Sequence, residues 1–237
     1  MFYNLNLEKV LFLDIETAPM VSEYDLLPAQ FRKLWDQKAG HIKREADDTP
    51  EKLFSRAGIY AEFGKIICIS VGIIKNREFR IKSFYGDDEY ELLKEFSEML
   101  SKHYNPRDHL LCAHNGKEFD YPYIARRMLI NGLRLPEILN IAGKKPWEVA
   151  HLDTLDLWKF GDYKNYTSLE LLAAVFGIQT PKDDIDGSMV ADVYYKENNL
   201  ERIVSYCQRD TLTVAQLLLC YLGKPQIKEE DIIYSGN

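Results

Sequence analysis

The stretch VLFLDIETAP, residues 10–19, decides the fold. Five of its first six residues are apolar, as in a strand buried on both faces, yet acids stand at positions 14 and 16. Alternate side chains of a strand share a face, so Asp14 and Glu16 project the same way, about 7 Å apart along the backbone. Two carboxylates leaving a buried strand on one side can share a cation. An ordinary pair of acids at a strand end, near solvent or a helix N-terminus, has the same signature, so the pair alone assigns no role.

Outward from this strand, residues 20–62 carry no clear strand pattern and read as helical excursions outside a sheet. KIICISVGII (65–74) and REFRIKSFY (77–85) then form an antiparallel pair joined at Lys75-Asn76. DDEYELLKEFSEML (87–100) has apolar residues at helical spacing behind acidic caps. HLLCAHN (109–115) is a short buried strand, and Pro122 opens a helix that runs to about Asn131 and is closed by Gly132. EVAHLDTL (148–155) reads as a further strand, and SLELLAAVFG (168–177) as a helix with a serine cap and a glycine stop. SMVADVYYKE (188–197), a long helix over 200–222 and a polar tail over 223–237 complete the order. Three early strands followed by helices alternating with short buried strands predict an α/β fold, a mixed sheet with helices on both faces.

At 237 residues, one large domain spanning 1–237 is expected, with 20–62 as an inserted helical or loop segment. No apolar run approaches the length of a bilayer span. The start, MFYNLNLEKV, lacks the basic, apolar and small-residue zones of a secretory leader, so a cytoplasmic location is expected. Four scattered cysteines without a CxxC pair, and histidines without helical pairing, give zinc chemistry no support; the cysteines read as small buried thiols. A net charge of −7 argues against a protein that coats nucleic acid with a broad basic face, though not against one that grips a strand end. DDIDG (183–187) fails as a calcium loop because the first ligand position falls on Lys182, and is read as a turn and cap.

Two more acids complete the pattern. The apolar stripe of the last helix runs Ile203, Cys207, Val214, Leu217 and Tyr221, and the gap between Cys207 and Val214 is filled by Asp210, with Tyr206 one turn before it. A buried carboxylate needs a cation, a metal or several donors, and an Arg or Lys partner would serve as well as a metal. HNGKEFDYP (114–122) places Asp120 at the start of a helix behind an Asn115-Gly116 turn, where capping is the plain role. Separately each acid has an ordinary explanation. Together they can meet at one sheet edge, and with no histidine or cysteine joining them, the ions that would offset their charge are hard, oxygen-seeking dications, Mg²⁺ or Mn²⁺. Two such ions about 4 Å apart serve phosphodiester cleavage.

The segments DIET (14–17), NGKEFD (115–120) and YCQRD (206–210) resemble, in order and spacing, the three motifs of the DEDD superfamily of 3′–5′ exonucleases in its tyrosine-containing branch. The likeness is to the proofreading exonuclease domain of family B DNA polymerases and to stand-alone bacterial exonucleases related to it, and it covers roughly residues 10–220. It implies a ribonuclease H-like fold, with Asp14, Glu16, Asp120 and Asp210 as ligands of two metal ions and Tyr206 as the catalytic residue that orients the attacking water. The histidine-type branch would need a histidine where this chain has Ser205. Thr17 and Asn115 correspond to positions touching the terminal nucleotide, and Phe119 either packs or stacks on a base. The implied substrate is the 3′ end of single-stranded nucleic acid, DNA in preference to RNA, with release of nucleoside monophosphates; an exoribonuclease and a non-catalytic binding module of the same fold are the alternatives. No polymerase region follows residue 222 in this sequence, so proofreading in cis is not expected. Arg32, Lys33, Trp35, Lys43 and Arg44 in the inserted segment suit phosphate contact and base stacking, or else belong to a helical side layer with its own small core.

Overall fold

A computed structural model describes residues 5–162, 164, 166–179 and 185–235. Six strands, β1 (Val10–Pro19), β2 (Gly64–Lys75), β3 (Glu78–Tyr85), β4 (Leu110–Ala113), β5 (Leu152–Asp153) and β6 (Ile232–Tyr234), form one sheet in the order β5-β4-β1-β2-β3-β6. β1, β2 and β3 pair antiparallel, while β4 lies parallel to β1, β5 to β4 and β6 to β3. The helices are α1 (Ala29–Ile42), α2 (Pro50–Leu53), α3 (Glu89–His103), α4 (Asp120–Ile130), α5 (Thr154–Lys159), α6 (Leu169–Phe176), α7 (Val190–Asp192), which continues as a π-turn over Val193–Glu197, and α8 (Leu200–Tyr221). The expected mixed sheet with helices on both faces is what the chain forms.

The alternation along β1 assigns its two faces. Leu11, Leu13 and Ile15 pack with Leu92 and Phe96 of α3 and with Ile124 and Met128 of α4. Val10 and Phe12 pack with Val214, Ala215 and Leu218 of α8, and Ala18 with Ile203 and Cys207 of the same helix. Asp14 and Glu16 lie in this second row, so they stand on the α8 side of the sheet. The register with β2 shifts between Glu16 and Thr17, a bulge that re-aims the strand end just where the acids stop.

Local chemistry explains most boundaries. Asp88 caps α3 by accepting from the Glu91 N–H at 3.2 Å, and Ser168 caps α6 from Leu171 at 3.2 Å. Gly177 ends α6 at φ 64°, a left-handed position that suits glycine. The β2–β3 turn sits one residue later than the sequence suggests: Lys75 pairs with Glu78, and Asn76 and Arg77 take the positive φ values, 53° and 72°, of a twist-matched two-residue turn. The tail is corrected more substantially. Ile232–Tyr234 leave the polar stretch to add β6 along β3, where a short apolar run satisfies an otherwise open edge. EVAHLDTL is also less of a strand than read, since pairing stops at Asp153 and α5 begins at Thr154. Lys182, Asp183 and Asp184 lie outside the described residues; in the rest of that motif, Asp186 accepts from the Ser188 N–H at 2.7 Å as a turn residue does.

The inserted segment is a side layer with its own core. Trp35 is wholly buried among Phe54, Phe63 and Leu53, and its Nε1 donates to the Pro50 carbonyl at 2.8 Å. Arg32 donates to the carbonyls of Asp25 and Leu27, and Lys43 to that of Ala46 at 3.0 Å. A ring with no exposed face cannot stack on a base, so Trp35 is packing, and the stacking role is withdrawn from it. The layer docks beside the end of β1 through Gly58, whose carbonyl accepts from Tyr123 at 2.6 Å, and Ala61, whose carbonyl accepts from Arg127 at 2.7 Å. Among the described residues no helix is long and apolar enough to cross a membrane.

Candidate active site

β4 ends at Ala113, level with Leu13 of the longer parallel strand β1, so Asp14 and Glu16 lie just past the C-terminal end of β4, where an open α/β sheet offers its side chains. The end of β1 brings Asp14 and Glu16, α8 crosses above with Tyr206 and Asp210, and the loop after β4 feeds α4, whose first residue is Asp120. The four acids that the sequence scatters over nearly two hundred residues act on one another here. The Asp14 carboxyl is pushed well above its ordinary value by burial first, then by Glu16, Asp210 and Asp120. Burial and then Asp210 do the same to Glu16, which is 7% exposed. Asp120, 3% exposed, is raised to about 8, chiefly by burial, against N–H donation from its own backbone and from Ile15. It does not act as a helix cap, because Phe119 precedes the helix and no side chain caps that end.

Whether a dication fits can be judged from the donors themselves. Asp14 Oδ2 is buried with no hydrogen-bond partner. No lysine or arginine lowers the Asp14, Glu16 or Asp120 pKa, and among the described residues none of the ion pairs involves these three acids. A buried carboxylate oxygen without a donor, next to two further carboxylates, is unfavourable until a cation or a proton arrives. The acids therefore suit a hard divalent ion.

One expectation needs correction: a cysteine does join them. Cys207 Sγ lies within 4.8 Å of carboxylate oxygens of both Asp14 and Glu16. Its thiol donates to the Asp14 carbonyl at 3.4 Å, and it is fully buried between α8 and the sheet, so it ties that helix to the strand that carries the acids. Burial pushes its pKa well up, which keeps it a thiol.

Tyr206 stands one helical turn before Asp210 and hydrogen bonds to it; burial first, then Asp210, Glu16 and Asp14, push the phenol far above its ordinary value of about 10. It keeps its proton at any working pH. Thr17, just past the bulge, shares a hydrogen bond with Tyr123. Asn115 is held at φ 63° by the loop, and its N–H donates to Asp153 at 2.9 Å. Phe119 packs on the α3–α4 core and against the Tyr123 ring at 5.3 Å, which favours packing over stacking.

Sequence reading missed Asp153. Its carboxylate takes the N–H groups of Asn115 and Lys117, and also those of Leu155 and Asp156 as the cap of α5, at 2.9–3.2 Å. One buried acid thus fixes the loop that delivers Asp120. The signal was present in DTLD (153–156), a capping pattern hidden by reading 148–155 as strand.

The pKa directions give a test. With no cation present, the folded chain holds these acids neutral more readily than the unfolded chain does. Their contribution to stability is complete below about pH 4 and is lost as pH rises toward the folded value near 8 for Asp120. A dication that replaces those protons therefore adds more stability at pH 8 than at pH 5. Thermal melts with and without Mn²⁺ at the two pH values measure this, and an increment that shrinks with pH contradicts it.

A family model for the RNase H superfamily matches residues 56–220. That stretch contains Asp120, Tyr206 and Asp210; Asp14 and Glu16 precede it. The fold is similar to that of the family B DNA polymerase from the hyperthermophilic archaeon Pyrobaculum calidifontis, with a TM-score of 0.51 and 17% sequence identity over 89% of this chain. The chain spans 24% of the length of that polymerase.

Proposed function

The chain belongs to the RNase H superfamily, and from that premise we propose that it is a metal-dependent 3′–5′ exonuclease acting on single-stranded DNA ends and releasing nucleoside monophosphates. The observation that carries this reading is the unpartnered, buried Oδ2 of Asp14 among Glu16, Asp120 and Asp210. A module that only bound phosphates would gain from fewer negative charges at this place, not more.

Asp14, Glu16, Asp120 and Asp210 would hold two ions, Mg²⁺ or Mn²⁺. When bound, such ions supply an activated water and offset the charge that develops at phosphorus and on the leaving oxygen. The protein's own part is positioning. Tyr206, tethered to Asp210, serves as an orienting hydroxyl for the attacking water; a phenol with an ordinary value of about 10 is a poor general base at neutral pH, and burial raises it further. Thr17, fixed by Tyr123, and Asn115, fixed by Asp153, flank the acids from β1 and from the β4 loop, where the terminal nucleotide would lie. Phe119 supports that loop from the core.

Digestion of matched 5′-labelled DNA and RNA strands with Mg²⁺, Mn²⁺ or EDTA tests the reading. The expected result is a ladder shortening from the 3′ end, dependent on the dication and faster on DNA, with circular single strands left intact. Absence of any metal-dependent ladder removes the exonuclease reading; a ladder on RNA alone reassigns the substrate, and cutting of circles makes the enzyme an endonuclease.

A further inference from the structure

Tyr166 is 66% exposed, yet it is not a loose surface ring. It meets the His114 ring edge-on, with centroids 6.4 Å apart and planes at 71°. His114 is itself clamped, with Nε2 donating to the Thr167 carbonyl at 3.0 Å and Nδ1 bonded to the Thr154 hydroxyl at 2.9 Å. Burial holds the His114 pKa below its ordinary value, so the imidazole is neutral near pH 7, with one nitrogen donating and the other accepting. Thr154 follows Asp153, and His114 precedes Asn115. The aromatic ring is thus mounted on the corner that fixes the β4 loop, beside the proposed site of the strand terminus.

Burial, then the charges of Asp120 and Asp153, push the Tyr166 pKa up, so the residue lies within electrostatic reach of the loop acids while two thirds of it stays exposed. A second ring stands nearby in sequence. Phe160 is 79% exposed and ends α5 in a left-handed conformation, φ 44° and ψ 33°, which a bulky residue rarely takes and which costs about 1–3 kcal/mol. Two exposed aromatic rings, one of them set against the clamped His114, interleaved in sequence with Lys159 and Lys164, are the composition with which proteins hold unpaired bases beside a phosphate backbone.

We infer that Tyr166 is a stacking surface for an unpaired base of the single strand whose 3′ end lies at the acid cluster, with Phe160 as a second such ring. This rests on the exonuclease reading above and names how that site grips its substrate. Stacking needs the ring and not the hydroxyl, and every base has a face to offer, so the contact is independent of sequence.

Binding of a short 5′-fluorescein single strand by the full-length Asp14→Asn protein, followed by anisotropy, supplies the test. It is run on that parent and on parent carrying Tyr166→Ala or Tyr166→Phe, with single abasic sites walked back from the 3′ end. Tyr166→Ala is expected to weaken binding about tenfold and to erase the sensitivity to one abasic position, while Tyr166→Phe stays within about twofold of the parent. Equal binding by Tyr166→Ala and the parent overturns the inference alone, as does a Tyr166→Phe protein as weak as Tyr166→Ala. A parent that binds no single strand overturns the exonuclease reading and this inference with it. Matching circular dichroism spectra separate loss of the ring from loss of the fold.

Discussion

Asp14→Asn is expected to lower the proposed metal-dependent trimming of single-stranded 3′ ends by about a thousandfold or more and, in EDTA, to raise the melting temperature of the protein. Both halves follow from the same atom. A metal ion offsets several kcal/mol of charge at a phosphoryl transition state, and every 1.36 kcal/mol is about tenfold in rate. Asparagine keeps the shape of the side chain but gives the ion a neutral and weaker ligand. In the metal-free protein the ionised carboxylate is a burden, because Oδ2 is buried without a donor and Glu16, Asp210 and Asp120 all repel it. Removing the charge relieves that repulsion, so activity and stability move in opposite directions. Asp210→Asn behaves alike for activity. The pair of measurements is a gel assay in Mg²⁺ or Mn²⁺ and a thermal melt in EDTA. Wild-type turnover in either variant refutes the assignment, and a lowered melting temperature for Asp14→Asn shows instead that the carboxylate has a structural partner.

The site was legible in the sequence to the extent that strand and helix periods carry it. The period of two along β1 puts Asp14 and Glu16 on one face, and the position of Asp210 within an apolar helical stripe turns it inward. Both follow from local geometry and survive folding unchanged. What the sequence could not supply were contacts between remote segments. Cys207 reads as a core thiol, and nothing local says that its sulfur lies beside the two acids. Asp153 was hidden because a strand pattern and a helix cap meet at the same residue. Arg32 and Trp35 have a composition suited to nucleic acid, but tertiary packing decides their use: the indole fills a side-layer core and the guanidinium closes backbone carbonyls. Ile232–Tyr234 became a strand only because the edge of β3 was open to it. A polar tail shows no such edge.

Arg127→Ala is expected to cost about 3–5 kcal/mol, the range for breaking a buried ion pair from one side. For a chain of this size that corresponds to a drop in melting temperature of about 10 °C. The Arg127 and Glu89 side chains are only 10% and 8% exposed. Arg127 Nε donates to Glu89 at 2.8 Å and Nη2 to its second oxygen, while Nη1 reaches the Ala61 carbonyl at 2.7 Å. Glu89 also accepts from the Ile66 N–H at 2.7 Å and from Asn131 at 3.0 Å. Removing the guanidinium leaves the Glu89 carboxylate with its neutral donors, frees the Ala61 carbonyl and loosens the hold of α4 on the side layer, which the Tyr123 to Gly58 hydrogen bond then carries. The effect should also reach the site without touching it. The Tyr123 hydroxyl bridges Gly58 of the same layer and Thr17 beside the acids, so a loosened layer lets Thr17 drift. At a temperature where the variant is folded, the expected kinetic result is a raised KM for single strands with a smaller change in kcat. Asp14→Asn gives the opposite pattern, with kcat lost. Arg127→Lys, which keeps the charge but not the forked pair of bonds, should fall between wild type and Arg127→Ala in stability. Equal melting temperatures for Arg127→Ala and wild type would show that the pair is dispensable and that the side layer is held by its other contacts, the Tyr123 to Gly58 hydrogen bond among them.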